Sequence, residues 1–188
     1  ETVVDRTQSS VVDVSVKQIK NIPALLGEVD VLKAIQLFPG VQSGGEGSSG
    51  FYVRGGGPDQ NLILLDGVPV YNASHLFGFF SVFNADAIKN VRLTKGGFPA
   101  RFGGRLSSVL EIDMKEGNMK KIEGEGSIGI VASKLTLQGP IIQDKTSFIV
   151  SGRRTYIDLL AQPLIKNMSD GNTGFGYYFY DLNAKLNH

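Results

Sequence analysis

An Asp-Gly pair set between two apolar runs constrains this chain more than any other local feature. Residues 62–65 (Leu-Ile-Leu-Leu) form an apolar run of strand length, Asp66-Gly67 follows, and residues 68–71 open a second run. A two-residue primed turn needs positive φ at both central positions, so the stretch predicts a tight β-hairpin. Just upstream, Arg54 precedes Gly55, Gly56, Gly57 and Pro58. No regular element is expected through that loop, because the glycines lack a preferred conformation and Pro58 has no amide donor.

Short helices and strands are expected on either side. Ser15 to Gln18 fits a capping box for a helix ending before Pro23. A second helix is expected over residues 30–37, with Val31, Leu32, Ile35 and Phe38 on one face and Pro39-Gly40 as its stop. Residues 43–50 read as a loop by composition. Residues 51–54, 91–95 and 109–115 read as strands, and Asn84 as the cap of a helix over residues 85–89. Residues 72–83 place four phenylalanines among polar neighbours with no clear register. Together these pieces predict a small mixed α+β domain over residues 16–116.

Beyond Gly117-Asn118 only strand-like segments remain. Phe148 and Val150 alternate with Ser147, Ser151 and Arg153. Tyr178, Tyr180, Leu182, Ala184 and Leu186 alternate with Asp181, Asn183, Lys185 and Asn187. An outer-membrane barrel strand has this dyad, and so does a strand of a soluble sandwich. Ile128 and Ile130 fall on even positions, Leu135 and Leu137 on odd ones, so a tight hairpin is expected near Val131-Ala132. A second turn is expected over residues 139–145 and a long loop over 157–176. A strand of about 10 residues, tilted near 45°, rises roughly 23 Å, close to the apolar band of a membrane barrel. Arg153 and Arg154 cannot share a face. The alternation turns Arg153 inward and leaves Arg154 near a rim.

Composition excludes several classes. A net charge of +1 over 188 residues provides no basic stripe for nucleic acid. Without cysteine there is no disulfide or thiol chemistry. No run reaches the roughly 18 apolar residues of a membrane helix. Glu1 is not an initiator Met, so the true start is expected upstream, and the chain is expected to be cut short at its other end. Neither glycine cluster continues into Gly-Lys-Ser/Thr, which argues against a nucleotide. His75 stands alone and His188 is the last residue, so no metal centre is expected. Ser74, His75 and Asp66 lack a nucleophile elbow. The chain is therefore expected to have no catalytic residues and no cofactor, and not to be an enzyme.

Val53-Arg54-Gly55, the run Leu-Ile-Leu-Leu-Asp-Gly-Val-Pro-Val at 62–70 and Lys-Gly-Gly-Phe-Pro-Ala-Arg-Phe-Gly-Gly at 95–104 resemble the signature of TonB-dependent outer-membrane receptors. The similarity covers the chain from about Ile19 onward and concerns the plug domain that fills the barrel. It implies an α+β plug, a small mixed sheet with short helices, followed by antiparallel strands of a transmembrane β-barrel. Three regions are then expected: an N-terminal segment at 1–15, the plug at 16–116, and the first strands of an incomplete barrel at 117–188. The implied function is active uptake of a nutrient such as a siderophore, cobalamin, peptide or glycan across the bacterial outer membrane. TonB, with ExbB and ExbD, would reach the plug from the periplasm, and the barrel would face outer-membrane lipid, with Tyr177, Tyr178 and Tyr180 in an aromatic girdle.

The resemblance also implies site residues. Glu1, Thr2, Val3 and Val4 are similar to a TonB box, which engages its partner by strand addition. Arg54 and Lys95 match the basic residues of the family's RG and KG motifs, which pair with barrel carboxylates and lock the plug. Loops 43–49, 55–61 and 72–83 would face outward, making His75, Phe77, Phe79 and Phe80 candidates for ligand contact. Packing against the barrel wall is the alternative that phenylalanine favours. The motif style resembles receptors of Bacteroidetes-type bacteria. The Phe-rich insert and the residue 55–61 loop depart from glycan importers with a lipoprotein lid, which argues against a SusD-type partner. The competing class is a non-transporting α+β protein-binding module with a β-rich extension.

Overall fold

The computed structural model describes residues 10–22, 28–44, 50–75, 78, 80–159 and 177–188. They fall into two compact units, one drawn from within residues 1–22 and 30–114, the other from within residues 23–29 and 115–188.

The first unit contains β1 (Val11–Ser15), α1 (Val16–Lys20), α2 (Val31–Ile35), β2 (Val41–Ser43), β3 (Phe51–Val53), β4 (Asn61–Leu65), β5 (Val68–Pro69), β6 (Ser74–His75), β7 (Phe80–Ser81), β8 (Ile88–Lys95) and β9 (Ser108–Met114). Five of these strands form one sheet in the order β1-β8-β9-β4-β5. β4 and β9 run parallel and the other neighbours antiparallel, so the sheet is mixed. Ser108, Val109 and Leu110 are all fully buried, as expected of a central strand covered on both faces. Ile19, Val31, Val53 and Val91 complete the core at 0% exposure.

The hairpin forms as its sequence demands, with Asp66 at φ 48° and Gly67 at φ 81°. Asp66 Oδ1 also accepts from Met114 N at 3.0 Å, tying the turn to the end of β9. At α1, Gln18 Oε1 accepts from Ser15 N at 3.1 Å, the reach-back half of the capping box. Asp30 caps α2 by accepting from Leu32 N at 2.8 Å and Lys33 N at 3.1 Å. The helix expected over residues 85–89 is instead a single 3-10 turn, Ala85–Ala87, which Asn84 caps. β8 takes over at Ile88, because Ile88 and Val91 are buried to 2% and 0% exposure in pairing with β9. Burial and ladder pairing outweigh the local helical signal.

The second unit contains β10 (Glu123–Ile128), β11 (Ala132–Ile142), β12 (Thr146–Thr155) and β13 (Tyr180–Asn187), paired antiparallel in chain order. The parity break is a tight connection, with Gly129 N donating to Ala132 O at 2.8 Å. The second turn is shorter than expected. β11 continues through Gly139 and Pro140 to Ile142, with a register shift between the last two. β10 pairs no further than Gln138, so Pro140 faces β12 alone and its missing donor interrupts no ladder on the other side. The long loop expected over residues 157–176 lies mostly outside the described residues.

Cross-strand register decides what the dyad means. One face carries the rows Gly126-Leu135-Gly152-Leu182, Gly124-Leu137-Val150-Ala184 and Gly139-Phe148-Leu186, which hold no polar side chain. The other carries Ser127-Lys134-Arg153-Asp181, Glu125-Thr136-Ser151-Asn183 and Glu123-Gln138-Ile149-Lys185. The apolar face is the exposed one: Leu135 is 56%, Leu182 74% and Leu186 72% exposed, while Thr136, Ser151 and Arg153 are buried. A soluble sandwich has the opposite arrangement. Arg153 does turn inward, and Arg154 sits on the outer face at the strand end, its guanidinium 5.4 Å from the Tyr178 ring centre.

Candidate functional site

The Arg-Gly and Lys-Gly segments meet in the first unit. Val53 and Gly56 exchange backbone bonds, Gly56 N to Val53 O at 2.9 Å and Val53 N to Gly56 O at 3.3 Å. That closes a turn with Arg54 at φ 49° and Gly55 at φ 83°. A left-handed conformation at Arg54 is strained, and the glycine beside it accepts the same region freely. Ser107 joins this turn to the other one. Its Oγ donates to Val53 O at 2.6 Å and its carbonyl accepts from Gly96 N at 3.0 Å. Gly56 must be glycine there, since a Cβ would stand 2.5 Å from the Ser107 side chain.

Both cations reach backbone or hydroxyl oxygen. Lys95 Nζ donates to Pro39 O at 2.8 Å, and Arg54 Nη2 donates to Ser10 Oγ at 3.4 Å. Lys95 N in turn donates to Ser10 O at 2.9 Å. Arg54 and Lys95 are therefore brought together around Ser10, immediately ahead of β1. Neither reaches a carboxylate among the described residues. Behind them, Asn61 Nδ2 donates to Phe51 O at 2.6 Å and its Oδ1 accepts from Ser108 Oγ at 2.7 Å, a buried pair that fixes β4 to β3 and β9.

Of the other candidates, His75 pairs with Phe80 across the β6–β7 ladder. His75 is half-buried and Phe80 is only 2% exposed, so Phe80 spends its surface on packing. Phe77, Phe79 and the Glu1–Val4 segment lie outside the described residues. In the second unit a cleft of about 410 Å³ opens over Lys115, Glu123, Gly124, Glu125, Thr136 and Gln138. No group of residues able to hold a metal ion is found among the described residues.

Sequence reasoning missed Ser107 and Glu28. Glu28 is 4% exposed, with its Oε2 2.7 Å from Lys134 Nζ. Arg153 Nη1 stands 3.8 Å from the other oxygen, and Arg153 also binds Asp181 Oδ2 through Nε at 2.9 Å and Nη2 at 2.5 Å. The Arg153 guanidinium lies 5.3 Å from the Phe179 ring centre. A lone acidic residue in a stretch without periodicity carries no signal of such a partner.

The family model for the TonB-dependent Receptor Plug Domain matches residues 4–108. No curated protein matches the chain. Among solved structures, the siderophore receptor PirA from Pseudomonas aeruginosa is similar at a TM-score of 0.62 and 20% identity, covering 96% of this chain and 32% of that one. PirA from Acinetobacter baumannii gives 0.62 at 23% identity, covering 79% and 25%. The alcaligin outer membrane receptor FauA from Bordetella pertussis gives 0.57 at 20% identity, covering 81% and 27%. The chain thus spans about a quarter to a third of these receptors, and the shared fold includes the opening strands of a barrel. With the plug match over more than half its length and a lipid-type outer face on its strands, the chain belongs to the TonB-dependent receptor plug-domain family of the outer membrane, a family of receptors and not of enzymes.

Proposed function

We propose that this chain is the plug and first barrel strands of a receptor that imports a nutrient ligand across the outer membrane in a TonB-dependent cycle. One observation carries the reading. A plug-type mixed sheet is followed, in one chain, by strands whose exposed rows are apolar and whose buried rows hold Lys134, Arg153 and Asp181. Such strands suit a wall with lipid outside and a polar lumen inside. A protein-binding module with a water-facing extension would need the reverse.

In this reading the plug gates the lumen. Glu1, Thr2, Val3 and Val4 form the segment that TonB takes up as an added strand, with ExbB and ExbD supplying the energy. Arg54 and Lys95 are the cations that meet carboxylates further along the barrel, and Ser107 keeps them in one body. An iron–siderophore chelate is the first ligand to test, ahead of cobalamin, peptide and glycan, because both PirA proteins are siderophore receptors. His75 and the Phe77 and Phe79 side chains remain the contact candidates, with Phe80 assigned to packing.

The test uses the full-length receptor in a strain lacking its own copy, grown on single iron, cobalamin, peptide or glycan sources. Deleting residues 1–4 is expected to leave ligand binding intact and to abolish uptake. Uptake that persists without those residues, or a receptor that restores growth on no source, overturns the proposal.

A further inference from the structure

We infer that Arg154, flanked by Ser133, Tyr178 and Tyr180, is a lipid-headgroup site on the outward face of the strands and takes the phosphate of an outer-leaflet glycolipid. The inference rests on the proposed reading that β10 to β13 are barrel wall and that the plug is reached from the periplasm. β10 begins at Glu123, shortly after β9 ends at Met114. In that reading Glu123, and with it the paired Gln138, Ile149 and Lys185, marks the periplasmic end of the sheet. The row Ile128-Ser133-Arg154-Tyr180 crosses the opposite end, on the outward face. The outward rows beneath it hold no polar side chain, so Arg154 is the only charged residue in the outward rows among the described residues. It stands where apolar wall gives way to headgroups.

The chemistry around Arg154 suits a phosphate. Its side chain is exposed, and its guanidinium makes no ion pair or hydrogen bond among the described residues. It lies 5.4 Å from the Tyr178 ring centre. A ring attracts a guanidinium through its face, which leaves the in-plane N–H donors open to a second partner. That fork matches two oxygens of one phosphate. Ser133 and Tyr180 are its cross-strand neighbours, so a hydroxyl-bearing residue stands on either side. Tyr178 and Tyr180 are 53% and 72% exposed, aromatic rings with a polar tip at the level of the headgroups. Directly beneath Arg154 on the same face of β12 is Gly152, between the exposed Leu135 and Leu182. No β12 side chain fills that place, so an acyl chain descending from the headgroup meets apolar surface alone. A water-facing cation needs none of this arrangement and has no preference among lipids.

The test uses the full-length receptor in maltoside micelles, whose headgroups carry no phosphate. Lipid A or its dephosphorylated form is added, and native mass spectrometry reads the lipid retained. The wild type is expected to retain lipid A and to release the dephosphorylated form. Arg154→Gln is expected to lower the ratio of lipid-bound to free receptor about fivefold, the factor one basic residue contributes at an anionic membrane surface. Arg154→Lys is expected to fall between the two, since it keeps the charge and loses the fork. A heat-modifiable gel shift checks that each variant is folded, and Tyr178→Leu replaces Arg154→Gln if the latter is not. Equal retention of the two lipid forms, or an Arg154→Gln receptor equal to the wild type, overturns the inference. Inorganic phosphate that displaces lipid A from the wild type overturns the choice of a lipid as occupant. Retention that depends on Arg154 in a receptor whose uptake ignores residues 1–4 overturns the proposed function alone. Uptake that needs those residues in a receptor that retains no lipid A overturns the lipid site alone.

Discussion

Val150→Arg tests the assignment of the two strand faces. Val150 stands near the middle of β12, in the outward row with Leu137 and Ala184, and is 39% exposed. Arg154 occupies the same face four residues on. At about 3.4 Å per residue and a tilt near 45°, that places Arg154 roughly 10 Å closer to the membrane surface. An arginine at mid-membrane depth on the lipid face costs about 2–4 kcal/mol, falling to about 0–1 near the interface. Val150→Arg should therefore reduce the folded-to-unfolded ratio roughly 30- to 700-fold. Arg154→Leu should change it by no more than about fivefold. The assay is urea titration of the full-length receptor folded into bilayers, read by heat-modifiable gel mobility. Equal costs at the two positions, or a neutral Val150→Arg, would refute the depth argument and with it the lipid-facing assignment.

Asp30→Ala should destabilise the plug by about 2–4 kcal/mol, since it removes the α2 cap and leaves Ser81 N, now bonded to Asp30 Oδ2 at 2.5 Å, buried without that acceptor. Protease protection of the plug in the intact receptor would show it. Gly117→Ala should cost at least about 1–3 kcal/mol in the same urea titration, because φ is +85° and a Cβ would lie 2.4 Å from Phe148 O. Arg54→Ala, which removes the contact to Ser10 Oγ, should make the residues ahead of β1 cleaved faster by a periplasm-facing protease, and Arg54→Lys should not restore full protection because a single ammonium lacks the guanidinium's reach.

What the sequence disclosed was mostly local. The Asp66-Gly67 turn, the Ser15–Gln18 reach-back and the hairpin at the parity break each depend on a few adjacent residues and one backbone requirement. The inward turn of Arg153 followed from alternation alone. Features that needed the assembled ladder were hidden. Residues 85–89 looked helical until Ile88 and Val91 found β9. Pro140 looked like a turn because nothing local says that β10 stops pairing at Gln138. The dyad could not reveal its own polarity, since which face is covered depends on neighbours far along the chain. Glu28 was least legible of all: its partners Lys134 and Arg153 are more than a hundred residues away and share a row only through strand register.

The sheet's outermost strand has one more consequence. If β1 is drawn off β8 and let go, its way back is unambiguous. Val14, 3% exposed opposite Val91, is flanked by Asp13 and Ser15. Because side chains alternate, a slip by one residue would press one of those polar groups into the apolar slot and pull Asp13 away from Arg92. The strand is thus indexed like a key with a single cut: one register alone seats Val14 against Val91 and Asp13 against Arg92.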